Sequence, residues 1–320
     1  MIRLFKNINK QLNFQYNNEK KNILVYVPFK LNYGCGGILV LYYFSKVLDL
    51  QNENIRINSP FKEKNKIYNK IYNGNLNIEN TIVIYPEIIN GNPRNAKYVI
   101  RWLLADINTK NKDIYKSWNK TDLVYFYNRD QNFIDFPEKV NSIYKQLSII
   151  YLNPNIKKYN KLLRNEYCHT FRKSYYHENI INIHPINSYE VNRNVSQEKC
   201  IEIFNNYKYF ICYDPLTFLP IISILCGCIP ILYPLKNVDK LLWLKRSPFW
   251  DYLNQNNINN FPGLAYGLDD IEYAKNTIND GPEFIKNMIN KTNELYINSF
   301  ITDINNYENM LNTVQNIFYN

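Results

Sequence analysis

The sequence holds only three histidines in 320 residues, and no Ser-His-Asp or Cys-His arrangement can be assembled from them by inspection. It contains no Asp-x-Asp motif, the acidic pattern expected where a nucleotide is held through a divalent metal. It also lacks an apolar run long enough to span a bilayer, since the most apolar stretch, 209–235, is interrupted by Asp214, Gly227 and prolines. Residues 1–21 are polar and charged, so no secretory signal pattern is expected there. The six cysteines do not form a small disulfide framework, which points to a reducing, cytoplasmic compartment. Cys226 and Cys228 straddle Gly227 too closely for a metal-ligand pair and read as small buried hydrophobes.

What is present begins with charge. Lys and Arg number 38 against 28 Asp and Glu, a formal net charge of +10. That favours an anionic partner, but the lysines are dispersed in no run longer than a pair. Dispersed lysines predict a solvated basic surface and only weak, non-specific nucleic-acid binding. The abundance of Asn, Lys, Ile and Tyr is what an AT-rich genome favours. The length exceeds what one hydrophobic core usually serves, so two domains are expected.

The stretch 209–235 organises the chain. It reads as an apolar strand ending at Tyr213-Asp214, a Pro-Leu-Thr turn, an apolar helix stopped by Gly227, and a second apolar strand. Strands that are continuously apolar belong to a parallel sheet covered on both faces, with ligands beyond the carboxyl ends. Asp214 and Thr217 fall at such an end and can either approach an anion or cap the helix.

Before it, a strand at 23–29 leads through Gly34, Gly36 and Gly37 into a helix at 38–50. These glycines can let a phosphate or sugar approach the backbone, or they can serve a tight turn. Strands are predicted at 55–61, 81–88, 122–127 and 146–152, and a helix at 95–104 carrying Arg101 and Trp102. In the second half, strands are predicted at 166–171 and 180–185 and helices at 196–207, 238–254 and 271–278, with a mostly helical end at 282–319. Residues 263–270 read as a loop. Short alternation of strands and helices defines a βαβ architecture. Arg172 and Lys173 emerge at a strand's carboxyl end, where they suit a diphosphate or remain solvated. His184, with Ser188 beyond, ends the next predicted strand and offers an imidazole to a phosphate or sugar oxygen, or to the backbone.

Taken together, the chain resembles the GT-B glycosyltransferases, in a bacterial and giant-virus branch. The residues that carry the resemblance are Gly34-Cys35-Gly36-Gly37, Tyr85-Pro86-Glu87 with Gly91-Asn92-Pro93, Val99-Ile100-Arg101-Trp102, Phe171-Arg172-Lys173, Ile183-His184-Pro185, Tyr213-Asp214-Pro215 with Thr217, Cys226-Gly227-Cys228 and Ala265-Tyr266-Gly267. It covers most of 23–278. The resemblance implies an α/β fold of two Rossmann-like domains facing a central cleft, with an acceptor domain at 1–160, a nucleotide-sugar domain at 161–302, and a terminal helix at 303–320 that packs back on the first.

It further implies transfer of a sugar from a nucleoside-diphosphate sugar to a glycan or glycoprotein hydroxyl, without metal or other cofactor. The setting would be cytoplasmic, the host cytoplasm if the source is viral. The donor would contact Gly36, Gly37, Arg172, Lys173, His184, Ser188, Tyr213, Asp214 and Thr217, and Glu87 is the candidate base for the acceptor hydroxyl. The sequence departs from the family at 218–225, where many retaining members carry a glutamate and this chain has no carboxylate. That departure motivates an alternative, a nucleotide- or glycan-binding module on the same fold without turnover.

Overall fold

The computed structural model describes residues 21–32, 35–51, 55–58, 67–68, 70–72, 77–105, 113–119, 121–128, 145–160, 163–172, 179–214, 217–307 and 309. They divide into two compact units. The first takes the described residues up to Tyr127, then 145–149, then those from Tyr296 onward; the second takes Asn128 and Ile150–Leu295. The sequence had suggested divisions after 160 and 302.

The first unit is built on six parallel strands. These are β1 (Asn22–Tyr26), β2 (Ile55–Asn58), β3 (Thr81–Pro86), β4 (Tyr98–Leu103), β5 (Leu123–Phe126) and β6 (Lys145–Gln146), in the order β2-β1-β3-β4-β5-β6. Every residue of β3 and β4 is buried, as expected of central parallel strands covered on both faces. Helix α1 (Gly36–Gln51) is apolar round most of its surface and lodges Phe44 against Trp102 and Phe300, with ring centroids 4.7 and 5.1 Å apart. The late-chain residues of this unit are tied in by hydrogen bonds. Tyr125 donates its hydroxyl proton to Asp303 over 2.7 Å, and Tyr307 donates to the Val99 carbonyl over 2.7 Å.

The predicted helix at 95–104 is corrected, because this segment is β4. Pro93 begins a turn instead of a helix, with Asn95 in the left-handed region at φ 49°. A strand running Val-Ile-Arg-Trp-Leu is tolerable in the core because Arg101 is neutralised there. Its Nε donates to Asp122 over 2.7 Å and its Nη2 to the Gly91 carbonyl over 2.8 Å.

The second unit has five parallel strands, β7 (Asn165–Thr170), β8 (Tyr189–Glu190), β9 (Tyr207–Cys212), β10 (Ile229–Leu232) and β11 (Ala265–Tyr266), in the order β11-β10-β9-β7-β8. Its helices are α2 (Gln197–Asn206), α3 (Leu219–Leu225), α4 (Lys240–Lys245), α5 (Trp250–Gln255), α6 (Ile271–Thr277) and α7 (Gly281–Asn305), whose residues from Tyr296 belong to the first unit. The strand-helix-strand crossover expected within 209–235 is β9-α3-β10. Gly227 ends α3 at φ +75°, a conformation that favours glycine. Arg164 then satisfies the orphan carbonyls, donating to Cys226 over 2.8 Å and Gly227 over 2.7 Å. Cys226 and Cys228 are buried free thiols, as read from the sequence.

Three further expectations are corrected. Residues 180–185 are not a strand: they form an irregular segment held by side-chain hydroxyls. The helix predicted at 238–254 is two, α4 and α5, because Ser247 and Pro248 separate them. Residues 263–270 contain the two-residue strand β11, which its parallel neighbour β10 recruits into the sheet.

Candidate functional site

In a doubly wound parallel sheet the crevice for a ligand opens beyond the strands' carboxyl ends, where the strand order reverses direction. In the first sheet that switch lies between β1 and β3, and in the second between β7 and β9. The residues singled out from the sequence cluster at these two places.

At the first switch, Glu87 follows β3 directly. Its Oε2 accepts a hydrogen bond from the Leu104 N–H over 2.9 Å, so the carboxylate ties the end of β3 to the end of β4. Gly36 and Gly37 open α1, and neither has positive φ. A Cβ at Gly36 would meet nothing within 4 Å, and one at Gly37 would meet only Leu104, at 3.6 Å. Gly36 and Gly37 are therefore first-turn helix residues, whose backbone conformation does not itself require glycine. Gly34 lies outside the described residues.

At the second switch, the register sets His169 opposite Ile211. Alternation then puts Tyr167, His169 and Phe171 on one face with Tyr209 and Tyr213, and the Tyr167–Tyr209 and Phe171–Tyr213 rings stack with centroids 5.0 and 4.6 Å apart. Segment 179–188 covers this face. His184 lies on His169 with ring centroids 3.7 Å apart and planes 7° from parallel. His169 Nδ1 is 2.9 Å from the Ser188 hydroxyl, and His184 Nδ1 is 2.9 Å from the Tyr213 hydroxyl. Tyr213 also accepts from the N–H groups of Ile183, over 2.7 Å, and His184, over 3.3 Å. Burial raises the Tyr213 pKa, so the hydroxyl keeps its proton at neutral pH. Burial first, and then the neighbouring His184, lower the His169 pKa, which favours a neutral ring.

The opposite face carries Arg172 and Asp214. Arg172 leaves the end of β7 and donates through Nη2 to the carbonyls of Asn192 and Val195, over 3.2 and 3.4 Å. Its Nε is buried with no acceptor among the described residues. Asp214 is buried after β9, and its charge and that of Arg172 both act on the Cys212 thiol. That thiol's pKa is raised well above normal, by burial first and by Asp214 next. Thr217 stands one residue before the helix N-cap, Phe218, which has no side-chain cap bond, and its hydroxyl accepts from the Leu219 N–H over 3.4 Å. Lys173 and Pro215 lie outside the described residues.

The structure thus brings Arg172, His184, Ser188, Tyr213, Asp214 and Thr217 to one edge of the second sheet. His184 reaches it from an irregular segment and not from a strand end. Sequence reasoning missed His169, whose signal was an imidazole near the carboxyl end of an otherwise apolar strand. Among the described residues, no three His, Cys, Asp or Glu side chains gather as a metal site, and no helix is long and apolar enough to cross a membrane. No family model matches the sequence, and a search of curated proteins finds no relative.

Proposed function

We propose that the chain is a metal-independent glycosyltransferase of the GT-B class, whose second unit holds the diphosphate of a nucleotide-sugar. The observation that carries this reading is a guanidinium and a buried carboxylate on one face of the second sheet, with hydroxyls and an imidazole on the other, all near the β7/β9 switch. Arg172 supports it further, since its buried Nε–H has no acceptor among the described residues. A cation there would stabilise the charge that develops on the leaving nucleoside diphosphate. Glu87 sits at the corresponding switch of the first sheet and is the proposed base for the acceptor.

The test is a thermal-shift screen of uridine, guanosine, cytidine, adenosine and thymidine diphosphates, each with and without chelator, followed by hydrolysis and transfer assays with the matching sugar donors. One nucleotide that raises the melting temperature in chelator, and whose sugar is released or transferred, supports the reading. A second reading, a nucleotide- or glycan-binding module without turnover, is favoured by a specific observation: the Glu87 carboxylate is engaged by the Leu104 N–H. Nucleotide binding with no turnover over a broad acceptor panel would select it.

A further inference from the structure

Exposed lysines of the second unit are mostly answered by acids: Lys199 by Glu202 over 2.8 Å, Lys275 by Glu272 over 2.7 Å, and Lys208 by Glu166. Lys157 and Lys158, on the segment that leads into β7, differ. Both are exposed, and neither has a carboxylate within ion-pair distance among the described residues. Residues 153–165 carry three lysines and one arginine with no acid; of these, Lys161 lies outside the described residues. Glu166, the first acid after the segment, is already paired.

The segment is held in place at the amino-terminal edge of the second sheet, the end away from Arg172 and Tyr213. Ile156 is buried, the Tyr159 N–H donates to Asn205 Oδ1 over 2.6 Å, and Asn205 Nδ2 donates to the Lys157 carbonyl over 3.1 Å. The stem of Lys158 lies on Gly227, where a Cβ would stand 2.9 Å from Lys158 Cδ. Arg164 reaches the same place, donating to the Cys226 and Gly227 carbonyls. These two cations therefore sit at the C-terminus of α3, whose dipole favours positive charge. Beside them the segment exposes apolar surface, with Leu163 90% and Tyr159 37% accessible.

We infer that this edge docks on an anionic lipid surface, with Lys157, Lys158 and Arg164 facing the headgroups and Leu163 entering the acyl boundary. Charge complementarity names the occupant: a fixed cluster of cations, with the neighbouring carboxylate neutralised, is attracted to anionic lipid. The exposed leucine separates lipid from nucleic acid. A single strand is gripped by stacking aromatic rings along a basic groove, where an aliphatic side chain has no counterpart. A bilayer interface takes up apolar side chains flanked by lysines, whose stems and heads span the same boundary. Docked in this way, the second sheet keeps its carboxyl edge, with Arg172, Tyr213 and Asp214, at the end away from the lipid.

The inference does not depend on sugar transfer, and its test needs no nucleotide. The full chain is sedimented with phosphatidylcholine vesicles, with and without phosphatidylserine, at about 0.15 M salt. It should bind the anionic vesicles and not the neutral ones. Lys157→Glu with Lys158→Glu should lower the affinity at least about twentyfold, from about fivefold for each lysine lost. Leu163→Ser leaves every charge in place and should lower it about tenfold. Lys46→Glu with Lys286→Glu makes the same change in net charge at exposed positions elsewhere, and should lower it less than about threefold. Equal binding to neutral vesicles, or an equal loss in the two doubly substituted variants, overturns the inference. A loss in the Lys157 and Lys158 variant with none in Leu163→Ser also overturns it, and points to a polyanion such as nucleic acid. If a variant folds poorly, the natural chain decides: the amides of Lys157, Lys158 and Leu163 must gain hydrogen-exchange protection on anionic vesicles, and unchanged protection overturns lipid docking.

Discussion

Arg101 and Asp122 form an ion pair inside the first sheet, 2.7 Å from Nε to Oδ2, with side chains 1% and 3% exposed. Burial raises the Asp122 pKa, while Arg101 and the Asn119 N–H act in the opposite direction. The guanidinium also lies over the rings of Tyr85 and Trp118, 5.0 and 5.2 Å from their centroids. Removing one partner of such a pair leaves an uncompensated buried charge, at a cost of about 3–5 kcal/mol, whereas removing both costs much less. Arg101→Met should therefore destabilise the first unit by roughly that amount, and Arg101→Met with Asp122→Leu by less than the sum of the singles. Urea unfolding followed by tryptophan fluorescence measures both; strict additivity would show that the pair is not coupled.

The same pair marks the limit of what could be read in advance. The parallel α/β grammar was legible because continuous apolar strands, a helix capped by Ser196 and a helix stopped by Gly227 are local signals. The identity of β4 was not, because its arginine becomes admissible only through Asp122, 21 positions away. Segment 180–185 alternates apolar and polar residues as an edge strand would. Its backbone N–H groups are instead taken by the hydroxyls of Tyr213 and Tyr233, contacts that no local window contains. The site was legible at the strand ends, where Arg172, Tyr213 and Asp214 stand, but not at His169, whose partner His184 comes from another part of the chain.

Glu87 separates a structural from a chemical role. In Glu87→Gln the amide oxygen can still accept from Leu104, so stability should change by no more than about 1 kcal/mol. A base that removes the acceptor's proton cannot be replaced in this way, and general-base catalysis contributes about 10²–10⁴-fold. Transfer activity should fall by that factor while the melting temperature barely moves. Unchanged turnover would leave Glu87 as a brace between β3 and β4 and remove it from the mechanism.

The glycines divide the same way. A Cβ at Gly281 would stand 2.5 Å from Ile224 Cγ2 and 3.0 Å from the Pro262 carbonyl oxygen, so Gly281→Ala should destabilise the second unit by about 1–3 kcal/mol. Gly36 opens α1 with free space around it, and Gly36→Ala should stabilise by up to about 1 kcal/mol. Thermal unfolding of the two variants checks the contrast. If Gly36→Ala stabilises the fold and yet weakens nucleotide binding, Gly36 is kept for a ligand that approaches its backbone.

Arg172 is the most informative position for the proposed function, because it has two separable tasks. Its Nη2 holds the Asn192 and Val195 carbonyls ahead of α2, while its buried Nε has no acceptor among the described residues. A charge-assisted hydrogen bond to a diphosphate is worth about 1.5–3 kcal/mol, which corresponds to a loss of roughly ten- to a hundredfold in affinity on Arg172→Ala. The lost carbonyl contacts should lower the melting temperature of the unliganded variant as well. Arg172→Lys keeps the charge but not the fork, and it should recover part of the affinity without recovering both carbonyl contacts. Titration calorimetry with the nucleotide found in the screen, run in chelator, supplies the affinities, and unfolding of the free proteins supplies the stabilities. If affinity drops in Arg172→Ala and returns in part in Arg172→Lys while both are equally destabilised, the cation acts on the ligand. If affinity tracks stability across the three proteins, Arg172 serves only the loop before α2, and the diphosphate site must be sought elsewhere on the sheet edge.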